Sequence, residues 1–277
     1  MKKILVTGAA GMAGTELFKL LDGKENVIIG TDLKWGQDLR DYKLCNALCN
    51  EVDEIYHVAG VRGNPAYTKS NPLDFLLPML QIDSNIIRAA IENEVTKFLY
   101  TSSIGVFYNT DKYSSYAKKV GETIVEAAKI QYPNMKFCVV RPSNIYGRYD
   151  DFKNEKNSMV ITSLIRKAIT GPHIDLLTDG KETRDFINAK DVVRGMILTM
   201  KEMPPEPINL CYGAQVSIES VAKLIGSLTN KVVTYKNVSS ENKSKELPLN
   251  GYLVGFEPEI HLNDGIKEAI EYARKQL

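Results

Sequence analysis

The sequence predicts an α/β fold: a doubly wound parallel sheet over roughly residues 1–145, followed by a smaller α/β region over 146–277. Short β-rich apolar runs alternate with longer segments of helical period, the connections between them are short, and the alternation becomes irregular after Pro142. Strand–helix alternation with short loops means βαβ units, hence parallel strands covered on both faces.

The first strand is Ile4–Thr7, halted by a Gly-rich turn. Two lysines and an apolar run give this N-terminus a superficial likeness to a secretory leader. The run is too short for one, and no apolar stretch of about 18 residues follows. A helix is expected near 12–22, then strands at Val27–Thr31 and Glu54–Val58. A helix near 73–92, a strand at Phe98–Ser102, a helix near 113–131 and a strand at Phe137–Arg141 complete the regular part. Beyond it, Gly171-Pro172 and Asp179-Gly180 mark turns, and a helix near 189–200 is expected to return to the core. Residues 208–277 mix short strands and helices, and the polar stretch Asn237–Glu246 reads as a surface loop.

Composition removes several classes of function. Hydrophobic residues make up 44% and charged residues 25%, close to the globular average, which argues against disorder and a membrane class. The net charge of +1 leaves no electrostatic footprint for nucleic acid or anionic membranes. Cys45 and Cys49 lie one helical turn apart, but neither a second pair nor a nearby histidine completes a zinc site. Cys138 and Cys211 stand alone, and His57, His173 and His261 are scattered. The expectation is reduced, mostly buried thiols, no metal, and a cytoplasmic protein.

The strongest local signal is Thr7-Gly8-Ala9-Ala10-Gly11-Met12-Ala13-Gly14, directly after a strand and opening a helix. Its glycines follow GxxGxxG, one residue wider at the start than the GxGxxG dinucleotide fingerprint of the Rossmann fold. Gly8 permits the tight turn, Gly11 lets backbone approach a pyrophosphate, and Gly14 lets helix and strand pack closely, so that the helix start, Met12 and Ala13 included, faces the anion. A tight strand–helix turn without ligand is the bland alternative. Asp32 ends the second strand eighteen residues after Gly14. A carboxylate there accepts hydrogen bonds from adenosine ribose hydroxyls and repels a 2′-phosphate, which favours NAD over NADP. Lys34 could relax that preference. Asp38-Leu39-Arg40-Asp41 follows, with an acid placed to reach an adenine amino group.

From these motifs onward the chain resembles the extended short-chain dehydrogenase/reductase family, in its nucleotide-sugar epimerase and dehydratase branch. Tyr56-His57-Val58-Ala59-Gly60 is similar to a segment whose backbone lines the cofactor. Thr101-Ser102-Ser103-Ile104-Gly105-Val106-Phe107, Arg141-Pro142-Ser143-Asn144-Ile145-Tyr146-Gly147, Thr183-Arg184-Asp185-Phe186-Ile187 and Gly255-Phe256-Glu257-Pro258 with Asp264-Gly265-Ile266 follow in the family's order. The resemblance spans essentially the whole chain and leans toward GDP-fucose synthase and UDP-galactose 4-epimerase. It implies NAD as cofactor, held also by Val58, Ala59, Gly60, Thr101, Lys118, Pro142 and Asn144. It further implies a nucleotide-sugar substrate bound by the 146–277 region, and a homodimer built on the helices near 73–92 and 113–131.

The resemblance also implies a chemistry. A tyrosine takes a sugar hydroxyl proton, a lysine favours its phenolate, and a Ser or Thr orients the oxygen, because a phenol near pKa 10 is a poor base at neutral pH. Ser103 matches the hydroxyl, and Lys118, in Lys118…Gly121-Glu122, matches the lysine. The tyrosine four residues before the lysine is missing: that position is Ser114. Tyr113 lies five residues from Lys118, about 140° round an ideal helix, and reaches the site only if it precedes the first regular turn. Tyr116 points elsewhere. Three alternatives stand open: Tyr113 as acid/base, Ser114 with a water or a group of the substrate, or loss of the redox chemistry. The Ser103–Ser114 interval is also short for the family, which implies a more open sugar pocket.

On the substrate side, Asn144 and Arg184 match residues that contact the nucleotide-sugar diphosphate, the guanidinium by its two-pronged donation to a phosphate. Arg62, Asn64 and Tyr67 occupy a loop that could face the sugar. The leading expectation is an NAD-dependent epimerase, dehydratase or reductase of a nucleotide sugar. The alternative is an atypical, non-catalytic NAD-binding protein, sensor or scaffold, that has lost the tyrosine.

Overall fold

The structure is a computed structural model describing residues 1–23, 25–107, 113–236 and 255–277. The expected surface loop Asn237–Glu246 lies outside them. In chain order the elements are β1 (Lys2–Thr7), α1 (Met12–Leu21), β2 (Asn26–Thr31), α2 (Tyr42–Cys49), β3 (Glu54–His57), α3 (Pro65–Ser70), α4 (Pro72–Glu92), β4 (Lys97–Thr101), α5 (Tyr113–Gln131) and β5 (Lys136–Pro142). There follow β6 (Asn144–Tyr146), α6 (Val160–Thr170), β7 (Ile174–Leu176), β8 (Thr183–Asn188), α7 (Ala189–Glu202), β9 (Ile208–Leu210), β10 (Gln215–Ser217), α8 (Ile218–Thr229), β11 (Val233–Tyr235) and α9 (Leu262–Gln276).

The main sheet runs β2-β1-β3-β4-β5-β9, parallel throughout. Period-two alternation divides its side chains between two layers. Ile4, Val6, Leu99 and Val140 face α1 and α7, meeting Leu17, Val192 and Met196. Leu5, Ile55, Phe98 and Val139 face α2, α4 and α5, meeting Cys45, Ile86, Ala90 and Val125. The expected doubly wound α/β sheet is therefore present, and its sixth strand, β9, is supplied by residues beyond 145. Helix α7 packs on α1, β4 and β5.

A separate core gathers around α6, α8 and α9, with Phe152, Leu164, Ile165, Val221, Ile225, Ile266 and Ile270 buried together. Two short sheets flank it, β10-β8-β6 and β11-β7. Buried carboxylates tie the irregular segments down. Asp185 accepts from the Tyr212 N–H at 3.0 Å, the Gly213 N–H at 2.7 Å, the Ala214 N–H at 3.1 Å and the Ser143 hydroxyl. Asp191 accepts from the Glu259 N–H at 3.1 Å, the Ile260 N–H at 3.0 Å and Arg194 at 2.7 Å. Each is a buried carboxylate whose acceptor sites are filled by main-chain donors of a loop and by one side chain, so the loop is fixed where the carboxylate is satisfied.

The chain starts at β1, adds β2 on one side and returns to place β3 on the other. That reversal opens a crevice at the carboxyl ends of β1 and β3, where open parallel sheets bind ligands. Both the glycine loop and Val58-Ala59-Gly60 lie at this switch point.

Candidate functional site

A cleft of about 1500 Å³ opens above the carboxyl ends of the strands. Single-ligand sites are ordinarily about 300–1,000 Å³, so this one has room for two sizeable ligands side by side. The predicted cofactor residues Gly8, Gly11, Met12, Ala13, Asp32, Asp38, Leu39, Val58, Ala59, Gly60, Thr101, Lys118, Pro142 and Asn144 all line it, as do Ser103, Tyr113, Ser114 and Arg62.

At the β1 end the geometry is dictated by backbone contact. Gly8 has φ +70°, and a Cβ there would stand 2.8 Å from the Ala59 Cα. A Cβ on Gly14 would stand 2.0 Å from the Gly8 carbonyl oxygen. Helix α1 begins at Gly11 with no side-chain cap, so its first N–H groups face the cleft without a protein acceptor from the cap. Such a terminus favours an anion.

Asp32 accepts from the Ala10 N–H at 2.9 Å and the Lys34 N–H at 2.8 Å, one bond per carboxylate oxygen. A carboxylate has about four acceptor sites, so both oxygens retain capacity for hydroxyl donors. The Lys34 ammonium donates to the Ala10 carbonyl at 3.0 Å. Asp38 is held by the Arg40 guanidinium, with Nε at 2.9 and 3.0 Å from its two oxygens, and this fork keeps its carboxyl below the usual range. These residues fit a dinucleotide: tight backbone approach, an uncapped helix start, and a carboxylate with free acceptor sites one strand away.

Toward the middle of the cleft, Lys118 projects from α5 and donates to the Thr101 carbonyl at 2.7 Å. Burial lowers its pKa from the ordinary lysine value, and the carboxylates of Asp83 and Glu122 oppose that shift. Ser103 accepts the Gly105 N–H at 3.1 Å, so its own O–H remains to donate. Tyr113 is the first residue of α5 and is exposed, whereas Ser115 is buried beside Gly105 and Tyr116 is exposed away from the cleft lining.

On the far side the cleft is walled by Tyr67, Asn154, Lys156, Met159, Val160 and Thr162. Sequence reasoning flagged only Tyr67 among these, and nothing in their spacing distinguishes them from ordinary loop and helix residues. Arg62 is tied to the buried Asp150. Asn64 caps α3 by accepting the Tyr67 N–H at 2.8 Å and does not line the cleft. The Asn144 amide donates to the Asp185 carbonyl at 2.9 Å. Arg184 is not in the cleft lining: its guanidinium donates to the Thr183 carbonyl at 2.7 Å and pairs with Glu182 at 3.0 Å. Sequence reasoning also missed a buried cluster behind Lys118, made of Asp83, His57 and Tyr100.

No metal-competent group of His, Cys, Asp or Glu occurs among the described residues, nor any helix long and apolar enough to cross a membrane. The four cysteines are free and buried.

Among solved structures, the fold is similar to a GDP-6-OMe-4-keto-L-xylo-heptose reductase from C. jejuni (TM-score 0.87, 21% identity, 100% of this chain and 98% of that one). It is similar also to UDP-glucose 4-epimerase from Thermotoga maritima (TM-score 0.84, 21% identity, 99% of both chains). By sequence, the chain is 25% identical over 305 residues to GDP-L-colitose synthase of Yersinia pseudotuberculosis, covering 98% of this chain and 97% of that one. It is 23% identical over 309 residues to UDP-glucuronic acid decarboxylase 1 of Xenopus tropicalis, covering 100% of this chain and 73% of the relative. Residues 4–211, from β1 through β9, match the NAD dependent epimerase/dehydratase family. With the glycine turn, Asp32 and the switch-point crevice in place, the chain belongs to the NAD dependent epimerase/dehydratase family.

Proposed function

We propose that the protein is an NAD-dependent epimerase, dehydratase or reductase acting on a nucleotide-activated sugar. The observation that carries this is the single continuous cleft, which runs from the glycine loop past Lys118 to the wall formed by Met159 and Thr162 and exceeds the volume one dinucleotide needs. Similarity to proteins named for GDP- and UDP-sugars supports the choice of second ligand.

When bound, NAD supplies a nicotinamide that takes a hydride from a sugar carbon and can return it. In this reading the glycine loop and the start of α1 receive the pyrophosphate, and Asp32 receives the adenosine ribose hydroxyls and disfavours a 2′-phosphate. Lys118 holds the ribose next to the nicotinamide. Ser103 donates to the sugar oxygen, and Tyr113, standing in the cleft at the open end of α5, takes its proton, with Ser114 and a water as the other route. Asn144 and Arg62 lie on the substrate side. The 146–277 region, with β9 and α7 lent to the sheet, is the substrate-binding part. A homodimer through α4 and α5, which leave Leu73, Leu77 and Ile130 exposed, and a cytoplasmic setting for the reduced thiols complete the proposal.

The test is NMR in D₂O with the purified protein, NAD and a panel of GDP-, UDP-, dTDP- and CDP-sugars, following solvent deuterium incorporation and new anomeric signals. Turnover abolished by Tyr113→Phe and kept by Ser114→Ala supports the Tyr113 assignment; the reverse pattern moves the role to Ser114. NAD binding without change in any sugar, NADH with keto-sugars included, would return the non-catalytic alternative. Sedimentation showing only a 31.0 kDa species would dispose of the dimer.

A further inference from the structure

Behind Lys118, on the side away from the cleft, lies a buried carboxylate that the proposed chemistry leaves unused. Asp83 sits in the middle of α4 and is fully buried. The Tyr100 hydroxyl, from β4, donates to its Oδ2 at 2.6 Å, and His57 Nε2, at the end of β3, lies 3.0 Å from its Oδ1.

The position of the histidine proton follows from its other neighbour. Thr7 Oγ1 accepts the Val58 N–H and the Ala59 N–H, both at 3.1 Å, which takes up its two lone pairs. Its own O–H must then donate to His57 Nδ1, 2.8 Å away. The ring proton therefore sits on Nε2 and is donated to Asp83. Tyr100 and His57 thus both serve the carboxylate as hydrogen-bond donors, one to each oxygen.

The charge is balanced from α5. Lys118 Nζ lies 4.9 Å from the centre of the Tyr100 ring, the same ring whose hydroxyl holds Asp83, and donates to the Thr101 carbonyl. The other carboxylate near Lys118 is Glu122, one turn along α5, and it is already matched. Arg141 of β5 forks onto it at 2.7 and 2.6 Å, Ser102 donates to it, and Lys119 stands at 3.9 Å. Among the described residues, then, Glu122 has its own guanidinium, whereas Asp83 has no ion pair with a lysine or arginine, and Lys118, over the Tyr100 ring, is the cation that acts on it across that ring. The attraction is felt on both sides: burial pushes the Asp83 carboxyl up, yet the charge of Lys118 and the hydrogen bonds from His57 and Tyr100 hold it below the usual range.

The packing leaves these groups little freedom. Helix α5 crosses the cluster at Gly121, where a Cβ would stand 2.0 Å from the Tyr100 hydroxyl oxygen and 3.0 Å from Asp83 Oδ2. A buried ion of either sign alone is costly, and removal of one partner strands the other.

We propose that Asp83 is the fixed counter-ion of Lys118, a positioning residue that keeps the lysine charged and holds its ammonium at the cleft wall beside Gly60 and Thr101. His57 and Thr7 carry the hydrogen bonds from Asp83 on to the end of β1, next to the glycine loop.

Two measurements test it, and only the second rests on the cofactor reading. The first is urea unfolding at pH 7.5, without NAD, of the wild type, Asp83→Asn, Lys118→Met and the double variant. Each single change strands a partner, so the double variant is expected to be more stable than the sum of the two losses allows, and more stable than Lys118→Met alone. A double variant that folds where Asp83→Asn does not has the same meaning. Strictly additive losses overturn the pairing. The second is the NAD dissociation constant by calorimetry from pH 6 to 10. An ammonium persists below its pKa, and loss of the facing carboxylate lowers that pKa. The alkaline loss of affinity should therefore begin about 1–3 pH units lower in Asp83→Asn. Tyr100→Phe, which removes a neutral donor and keeps the charge, should leave that limb where it is. An unshifted limb in Asp83→Asn overturns the role in holding Lys118. No NAD binding by the wild type would defeat the cofactor reading instead, with the unfolding cycle still deciding the pair.

Discussion

The two ends of the cleft are built on different principles. At the β1 end the shape is set by main chain against main chain: Gly14 stands against the Gly8 carbonyl, and Gly8 against Ala59. At the α5 end it is set by side chains. Gly121 makes room for the Tyr100 hydroxyl, Lys118 is held by the Thr101 carbonyl and the Tyr100 ring of β4, and that ring is fixed in turn by Asp83 of α4, which His57 of β3 also holds. A backbone contact has no partner that can be mutated away, whereas a side-chain contact does. The first end is rigid by necessity and the second by agreement among several residues.

The largest effect should come from Gly14→Val. Its branched side chain would start 2.0 Å from a carbonyl oxygen, so the loop must move, at a cost of about 3 kcal/mol or more in urea unfolding and with loss of measurable NAD binding. No neighbouring side-chain truncation should rescue it. Gly121→Ala should cost about 1–3 kcal/mol, and here Tyr100→Leu should recover part of the loss, because the nearest atoms in the way, the phenolic oxygen and the ring carbon that bears it, belong to one side chain. Rescue at Gly14, or failure of rescue at Gly121, would break the contrast. Asp32→Ala should weaken NAD binding about 10- to 100-fold by calorimetry while lowering the melting temperature by only a few degrees, roughly 1 kcal/mol, since of the two bonds it loses within the protein one is exposed and the other part-buried. Unchanged affinity would remove its ribose role.

The smallest effect concerns the thiols. Burial pushes Cys45, Cys49, Cys138 and Cys211 up to about 12, so none should react with an aromatic disulfide reagent at pH 8 until the protein is unfolded. Rapid labelling of Cys45 or Cys49 in the native state would show that the layer behind the nucleotide end opens easily.

The same contrast explains what could be read from the chain alone. The principal strands and the glycine loop were legible because a buried parallel strand needs an apolar run and a backbone contact needs glycine. Both leave their mark at one place in the sequence. Helix α2 went unread, since Tyr42–Cys49 is short, and the three-residue strands β6, β7, β9, β10 and β11 are too brief to show a period. The Lys118 cluster could not be read because its members come from separate elements, and Asp83 looks like one polar residue on an amphipathic helix. Arg184 illustrates a different difficulty. The neighbours Arg184 and Asp185 point to opposite faces of β8, and burial on both faces begins only at Asp185, which takes a buried position while Arg184 stays half-exposed beside Glu182. A motif that names both residues does not say which.

The lending of β9 and α7 to the main sheet has a consequence for how the protein is made. While the ribosome has delivered only the first 145 residues, β5 is an unpaired sheet edge and the apolar face of α1 lacks its α7 cover. Those surfaces stay open until residue 210 has emerged, some seconds later at about 5–20 residues per second. Throughout that interval the nascent chain carries a sticky edge, so chaperone demand during synthesis should fall sharply once β9 docks.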